Sequence, residues 1–147
     1  MADFLTALQI SGSGLSAQRT RVDVAASNLA NAESTRGPDG QPYRRRDPVL
    51  GAVNFEADLA RAGTQPGDPS ASQGVKVMEV VEDPNPGKRV YLPGHPDADG
   101  DGFVTIPNVN PVHETVNLIS ASRGYDANAS AVDTLKSMAQ RAIDIAR

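Results

Sequence analysis

Apolar side chains recur every seventh residue at both ends of this chain. Near the N-terminus they are Leu8, Leu15, Val22 and Leu29, with Phe4, Ala25 and Ala26 between them and Ser11, Gly12, Gln18 and Arg19 as interruptions. Near the C-terminus they are Leu118, Tyr125, Val132, Ala139 and Ala146, accompanied by Ala121, Ala129, Leu135 and Ala142. Spacing of this kind predicts two amphipathic helices, from about Ala2 to Ser34 and from about Pro111 to Arg147. The first would be roughly 50 Å long at 1.5 Å per residue. Pro111 suits a first helical turn, where its missing N–H is harmless. Gly12 and Gly14 each cost about 1 kcal/mol relative to Ala inside a helix. They mark either a break near Ser11–Ser13 or the close approach of a neighbouring helix. Gly124 interrupts the second stripe in the same way. Two such stripes predict a coiled-coil-like helix pair, antiparallel or parallel.

Between the arms the pattern changes. All eleven prolines lie between Pro38 and Pro111, and ten of the thirteen glycines between Gly37 and Gly102. Val75–Val81 partly alternates, while Lys88–Leu92 and Gly102–Ile106 are short runs bounded by Pro and Gly. Pro42–Leu50 is a further candidate for extended chain. These runs predict a small antiparallel β middle with long loops, and Gly63–Gly74 reads as a flexible loop or a disordered segment. The fold class is therefore α+β. It comprises an N-terminal helical arm over residues 1–35, a β-rich middle over 36–108 and a C-terminal helical arm over 109–147.

The off-stripe positions are informative. A solvated helix face is normally filled with Glu, Lys and Arg. Here the first 35 residues carry only Asp3, Arg19, Arg21, Asp23 and Glu33 as charges, against seven alanines and five serines. From Val112 onward there are seven alanines, four serines and a single lysine. Aromatic residues make up 4% of the chain and Trp is absent. Small, charge-poor faces let a helix be packed on several sides at once, and a chain so short of large apolar groups has little to bury by itself. The arms are therefore expected to be poorly ordered alone and to fold on assembly. A monomeric helical hairpin carrying a β insert is the competing reading.

Net charge is −4, which disfavours nucleic acid. Without cysteine there is no disulfide and no thiolate site. No apolar stretch reaches the roughly 20 residues needed to span a bilayer, so no direct membrane insertion is expected. Met-Ala-Asp-Phe-Leu lacks the features of a cleaved secretory signal. Asp97-Ala-Asp-Gly-Asp-Gly102 matches the opening of a calcium loop, but its twelfth position is Asn108 beside Pro107, and its flanks read as strand and turn. An Asp/Gly turn leading into Phe103–Val104 is preferred. In Arg44-Arg45-Arg46, strand alternation exposes Arg44 and Arg46 together, a basic patch suited to an acidic partner surface. His95 and His113 are eighteen residues apart, with no nucleophile placed beside either. No catalytic residue, metal site or cofactor is expected.

The run Ala26-Ser-Asn-Leu-Ala-Asn-Ala-Glu-Ser-Thr35 resembles the N-terminal signature of flagellar rod and hook axial proteins. Asn117-Leu-Ile-Ser-Ala-Ser-Arg-Gly-Tyr-Asp-Ala-Asn128, continued by Lys136, Met138 and Arg141, resembles their C-terminal signature. Many axial proteins follow the first signature at once with Thr-Pro-Gly-Tyr. Here Thr35-Arg-Gly-Pro-Asp-Gly-Gln-Pro-Tyr43 intervenes, a spacing similar to proximal rod proteins of the FlgC type, as are Pro93–Val104 and Asn108–Asn110. The resemblance implies a structural, non-enzymatic rod subunit in the periplasm, exported uncleaved through the flagellar type III export apparatus. Implied partners are copies of itself, other flagellar rod proteins and the base adjoining the MS ring. The assembly interface is then expected at Leu8, Leu15, Val22, Asn28, Leu29, Asn31, Leu118, Tyr125, Asn128, Val132 and Leu135. Asn28 and Asn31 lie one turn apart; either their amides bond across helices and fix register, or they are ordinary helix-end residues. The alternatives are another axial protein of the same assembly, a small calcium-binding module or a secreted enzyme.

Overall fold

The computed structural model describes residues 2–37, 39–54 and 73–145. Of the Gly63–Gly74 segment only the last two residues are described, and Ala146 lies outside the described residues. Helix α1 runs Ala2–Ala30 and helix α2 Pro111–Ile145, with strands β1 (Arg46–Asn54), β2 (Gln73–Glu82), β3 (Lys88–Tyr91) and β4 (Phe103–Ile106) between them. The strands form two two-stranded sheets, β1–β2 and β3–β4. The chain divides into two compact units. The first comprises Met1–Thr20, Val49–Glu79 and Ala121–Arg147; the second comprises Arg21–Pro48 and Val80–Ser120.

In the first unit the helices are antiparallel: Gly14 of α1 faces Asn128 of α2, and Gln18 faces Gly124. α1 is continuous through Gly12 and Gly14, so the glycines make no break. The Ser13 hydroxyl accepts a hydrogen bond from the Val75 N–H at 3.1 Å and donates to the Ile10 carbonyl at 2.7 Å, tying the β2 strand to the helix. Its buried residues are small: Gly14, Ala17, Gly74 and Ala121.

The second unit has the richer interior, with Ala25, Asn28, Ala32, Val104, Pro107, Val109 and Glu114 buried. β3 and β4 pair antiparallel, Lys88 opposite Ile106 and Tyr91 opposite Phe103. β4 turns Val104 inward while β3 is exposed along its whole length. The Tyr91 and Phe103 rings meet edge to face at 5.3 Å, an arrangement that suits aromatic quadrupoles. Asn110 caps α2, its side-chain oxygen accepting the Val112 N–H at 3.1 Å, and Pro111 follows as the first helical residue.

Candidate assembly interface

Each helix buries a row one position away from the large-residue stripe its sequence advertises. On α1 the buried positions are Gly14, Ala17, Ala25 and Asn28; on α2 they are Glu114 and Ala121, with Asn117, Gly124, Asn128 and Leu135 half-buried. The inward faces are thus built mainly from small residues and amides, with one carboxylate and, near the end of the row, Leu135. In the first unit the fit is reciprocal. A Cβ on Gly14 would lie 2.8 Å from the Asn128 side-chain oxygen, and one on Gly124 would lie 2.9 Å from the Gln18 amide carbon. Each glycine therefore receives an amide from the opposite helix, and the Asn128 amide donates to the Gly124 carbonyl at 2.8 Å. Small residues on both sides bring the backbones close together.

In the second unit one asparagine joins three chain segments. The Asn28 Nδ2 donates to the Arg46 carbonyl at 2.8 Å and to the Glu114 Oε2 at 3.1 Å. Its Oδ1 accepts from the Arg46 N–H and from the Tyr43 hydroxyl, both at 2.9 Å. The amide pairs with both backbone groups of Arg46, as a neighbouring strand would. The Glu114 Oε1 accepts from the Arg45 Nε at 2.8 Å, and the Arg45 Nη1 also reaches Asp47 at 3.1 Å. Asn28 is 0% and Glu114 1% exposed, so these bonds replace all their contact with water. Burial alone would raise the Glu114 carboxyl pKa. The bonds from Asn28 and Arg45 and the Arg45 charge outweigh it and hold the group below its ordinary value. On Arg45 burial opposes the charge, but Glu114 and Asp47 prevail and raise its pKa.

The first signature run thus spans the last turn of α1 and the residues just past it, and the second lies on α2. Residues 8–38 match the family described as "Flagella basal body rod protein", and residues 101–145 match "Flagellar basal body rod FlgEFG protein C-terminal". The chain is 51% identical over 134 residues to the flagellar basal-body rod protein FlgC of Salmonella typhimurium (strain LT2), covering 91% of each. It is 39% identical over 144 residues to that of Bacillus subtilis (strain 168), covering 95% of this chain and 96% of the relative. To that of Borreliella burgdorferi it is 39% identical over 146 residues, covering 95% of each. The chain belongs to the FlgC family of flagellar basal-body rod proteins.

Within this FlgC-family chain the residues expected at the interface fall into three groups. Asn28 is buried in the polar cluster; Asn128 and Leu135 are half-buried on the row that includes Glu114 and Ala121. Leu15, Val22, Leu29, Leu118 and Val132 are half-buried on the flanks, and Leu8 and Tyr125 are exposed. Asn31 stands just past the end of α1 and bonds locally: its Nδ2 donates to the Ser27 carbonyl at 2.9 Å and its Oδ1 accepts from Ser34 at 3.2 Å. Of the two asparagines, only Asn28 bonds to the other helix.

The arginine run alternates as its sequence suggests, with Arg45 turned inward and Arg44 and Arg46 exposed. Arg46 already pairs with Glu82 at 3.2 Å and lies over the Tyr43 ring at 5.7 Å. The aspartate loop is a turn. The Asp99 Oδ1 accepts from the Asp101 and Phe103 N–H groups at 3.1 and 2.8 Å, Gly102 takes φ +80°, and Arg89 pairs with Asp99. The Phe103 N–H, with Arg89 and Asp101, holds the Asp99 pKa below its ordinary value. Asp97 accepts from Thr35 at 2.8 Å and pairs with Arg36 at 3.2 Å. Among the described residues no group of three or more Asp, Glu or His side chains is gathered for a metal, and no helix is long and apolar enough to cross a membrane.

Glu114, Arg45 and Tyr43 are members of the polar cluster that sequence reasoning missed. The one available signal was an acidic residue in the first turn of a capped helix, where the macrodipole favours it. Nothing in the spacing joins it to an arginine 69 residues earlier.

Proposed function

We propose that this protein is a structural subunit of the flagellar proximal rod, polymerising through its terminal helices into the helical shaft that transmits torque. The arms 1–35 and 109–147 carry the assembly surface, including the positions named for it above other than Asn28, which is buried and serves by holding α1 to α2, and the middle 36–108 decorates or braces it. Its partners are copies of itself, other rod proteins, the base adjoining the MS ring and the export apparatus. Its place is the periplasmic span of the basal body, reached without cleavage, and it works without a cofactor. Arg44 is the member of the basic patch best placed for an acidic partner surface.

One observation carries this reading. The inward rows of the helices are filled mainly with Ala, Gly and amides, while several large apolar groups stand exposed. Val112 is 73%, Val116 58% and Ile119 47% exposed, at the i, i+4, i+7 spacing of one helix face. Met138 at 61% and Ile143 at 66% continue the pattern of exposed apolar groups on α2, and Leu5 at 58% adds to it on α1. Apolar surface of this kind is stabilised by burial against other molecules. Family membership supports a rod as the assembly concerned.

Basal bodies isolated from cells carrying Val116→Ser with Ile119→Ser test the reading. Rod incorporation and swimming should both fall at least tenfold, while the helix content of the purified chain stays the same. Normal incorporation of the double variant would remove α2 from the interface. Absence of the wild-type chain from isolated rods would remove the rod assignment itself.

A further inference from the structure

We propose that Glu114 is an acid-release catch: its ionised carboxylate holds the end of α1 and the Tyr43–Arg46 segment to the first turns of α2, and protonation lets them part. The geometry favours the ionised acid. Both carboxylate oxygens accept from donors, Oε1 from the Arg45 Nε at 2.8 Å and Oε2 from the Asn28 Nδ2 at 3.1 Å. A proton on the carboxyl removes the charge that strengthens both bonds and leaves the Arg45 guanidinium facing a neutral group. Asn28 cannot turn its amide over to offer an acceptor. Its Oδ1 is required by the Arg46 N–H, and an inverted amide would set its oxygen against the Arg46 carbonyl. The Asn28 amide is therefore fixed in one orientation, as a donor to Glu114, and its bond is strongest while the carboxylate is charged.

The surroundings favour the same behaviour. A cavity of about 140 Å³ lies beside the cluster, lined among others by Arg21, Asp47, His113 and Asn117, and is large enough for water to bring a proton to it. From α1 the groups in this neighbourhood are Asn28 and Arg21. From the Tyr43–Pro48 stretch they are Arg45, Arg46 and Asp47, and from α2 they are His113 and Asn117. The His113 Nδ1 is 3.8 Å from the Glu114 Oε1. Asp47 shares Arg45 with Glu114.

The sign is fixed by the lowered carboxyl. Glu114 titrates below its ordinary value of 4.5 in the folded chain, so its stabilising effect is complete above that pH and is lost as pH falls through the lower, folded value. The catch is closed at neutral pH and opens as pH falls below 4.5.

Hydrogen exchange of the full-length chain, read by mass spectrometry from pH 7 to pH 3 and corrected for the intrinsic rate, tests the proposal. Peptides from residues 21–48 and 111–120 should lose protection together, at least tenfold, between pH 5 and pH 3. In Glu114→Gln both should already exchange faster at pH 7 and show no further fall. Wild-type protection that stays flat to pH 3 overturns the proposal, as does a Glu114→Gln chain whose protection falls by the same factor over that range. Should the variant not fold, the wild-type carboxyl carbon of Glu114 is followed by NMR instead. Titration in step with loss of Asn28 side-chain amide protection supports the catch; titration without that loss overturns it.

Discussion

At the scale of single residues, Asn28 does the work of a short strand. Its amide satisfies both backbone groups of Arg46 where β1 begins and still reaches Glu114 and Tyr43. Replacing it removes four bonds at once and takes a donor from one oxygen of a buried carboxylate and the acceptor from a backbone N–H, each costing about 1–3 kcal/mol. Asn28→Ala should therefore destabilise the full chain by about 3 kcal/mol, measured as a shift of the urea midpoint. Asn28→Asp should cost at least as much, because it sets a second carboxylate against Glu114. A midpoint unchanged in Asn28→Ala would show that the cluster contributes nothing to stability. The sequence points to Asn28 as a polar residue on a small-residue helix, but not to its partners, which lie 15 to 86 residues away. Pairing across such distances is decided by the tertiary path, which local spacing does not encode.

At the scale of elements, much was legible. Exclusion of proline from both ends and a seven-residue period locate two long helices within a few residues of their observed bounds. Less legible was which face turns inward. The stripe of Leu8, Leu15, Val22 and Leu29 marks the large residues, yet the buried row is Gly14, Ala17, Ala25 and Asn28. Hydrophobicity ranks residues by size, whereas close approach of two backbones selects for the smallest. The middle divides into two ribbons because Asp83-Pro84-Asn85-Pro86-Gly87 intervenes between β2 and β3, and its two prolines offer no N–H to continue a ladder.

The glycines give a prediction at this scale. Gly12→Ala and Gly14→Ala each gain about 1 kcal/mol of helix propensity, so both should raise the helix content of the dilute chain by circular dichroism. A side chain at position 12 meets nothing within 4 Å, while one at position 14 displaces the Asn128 amide. Rod incorporation should accordingly be lower for Gly14→Ala than for Gly12→Ala. Equal incorporation would mean that the Gly14–Asn128 contact is not kept in the assembled state.

At the scale of the whole molecule, the two units differ in what they can hold by themselves. The second buries Val104, Pro107 and Val109 together with a fully bonded polar cluster. Among its described residues the first buries Gly14, Ala17, Gly74 and Ala121 and leaves Met138, Ile143 and Ile145 more than half exposed. Each unit draws on both helices, so each helix is expected to be secure over one stretch and dependent on companions over the other. This sharpens the expectation drawn from composition. Residues 21–30 and the inward face of 111–120 find partners within the chain, the outer face of 111–120 at Val112, Val116 and Ile119 does not, and the stretches expected to depend most on companions are 2–20 and 121–145.

Limited trypsin digestion of the dilute full-length chain, set beside the same chain in isolated rods, measures this directly, because Arg19, Arg123, Lys136 and Arg141 fall in the dependent stretches and Arg45 in the secure unit. The dilute chain should be cut first at the four outer sites while Arg45 resists, and in rods all four should be protected. Outer sites that resist trypsin in the dilute chain as fully as they do in rods would contradict the account.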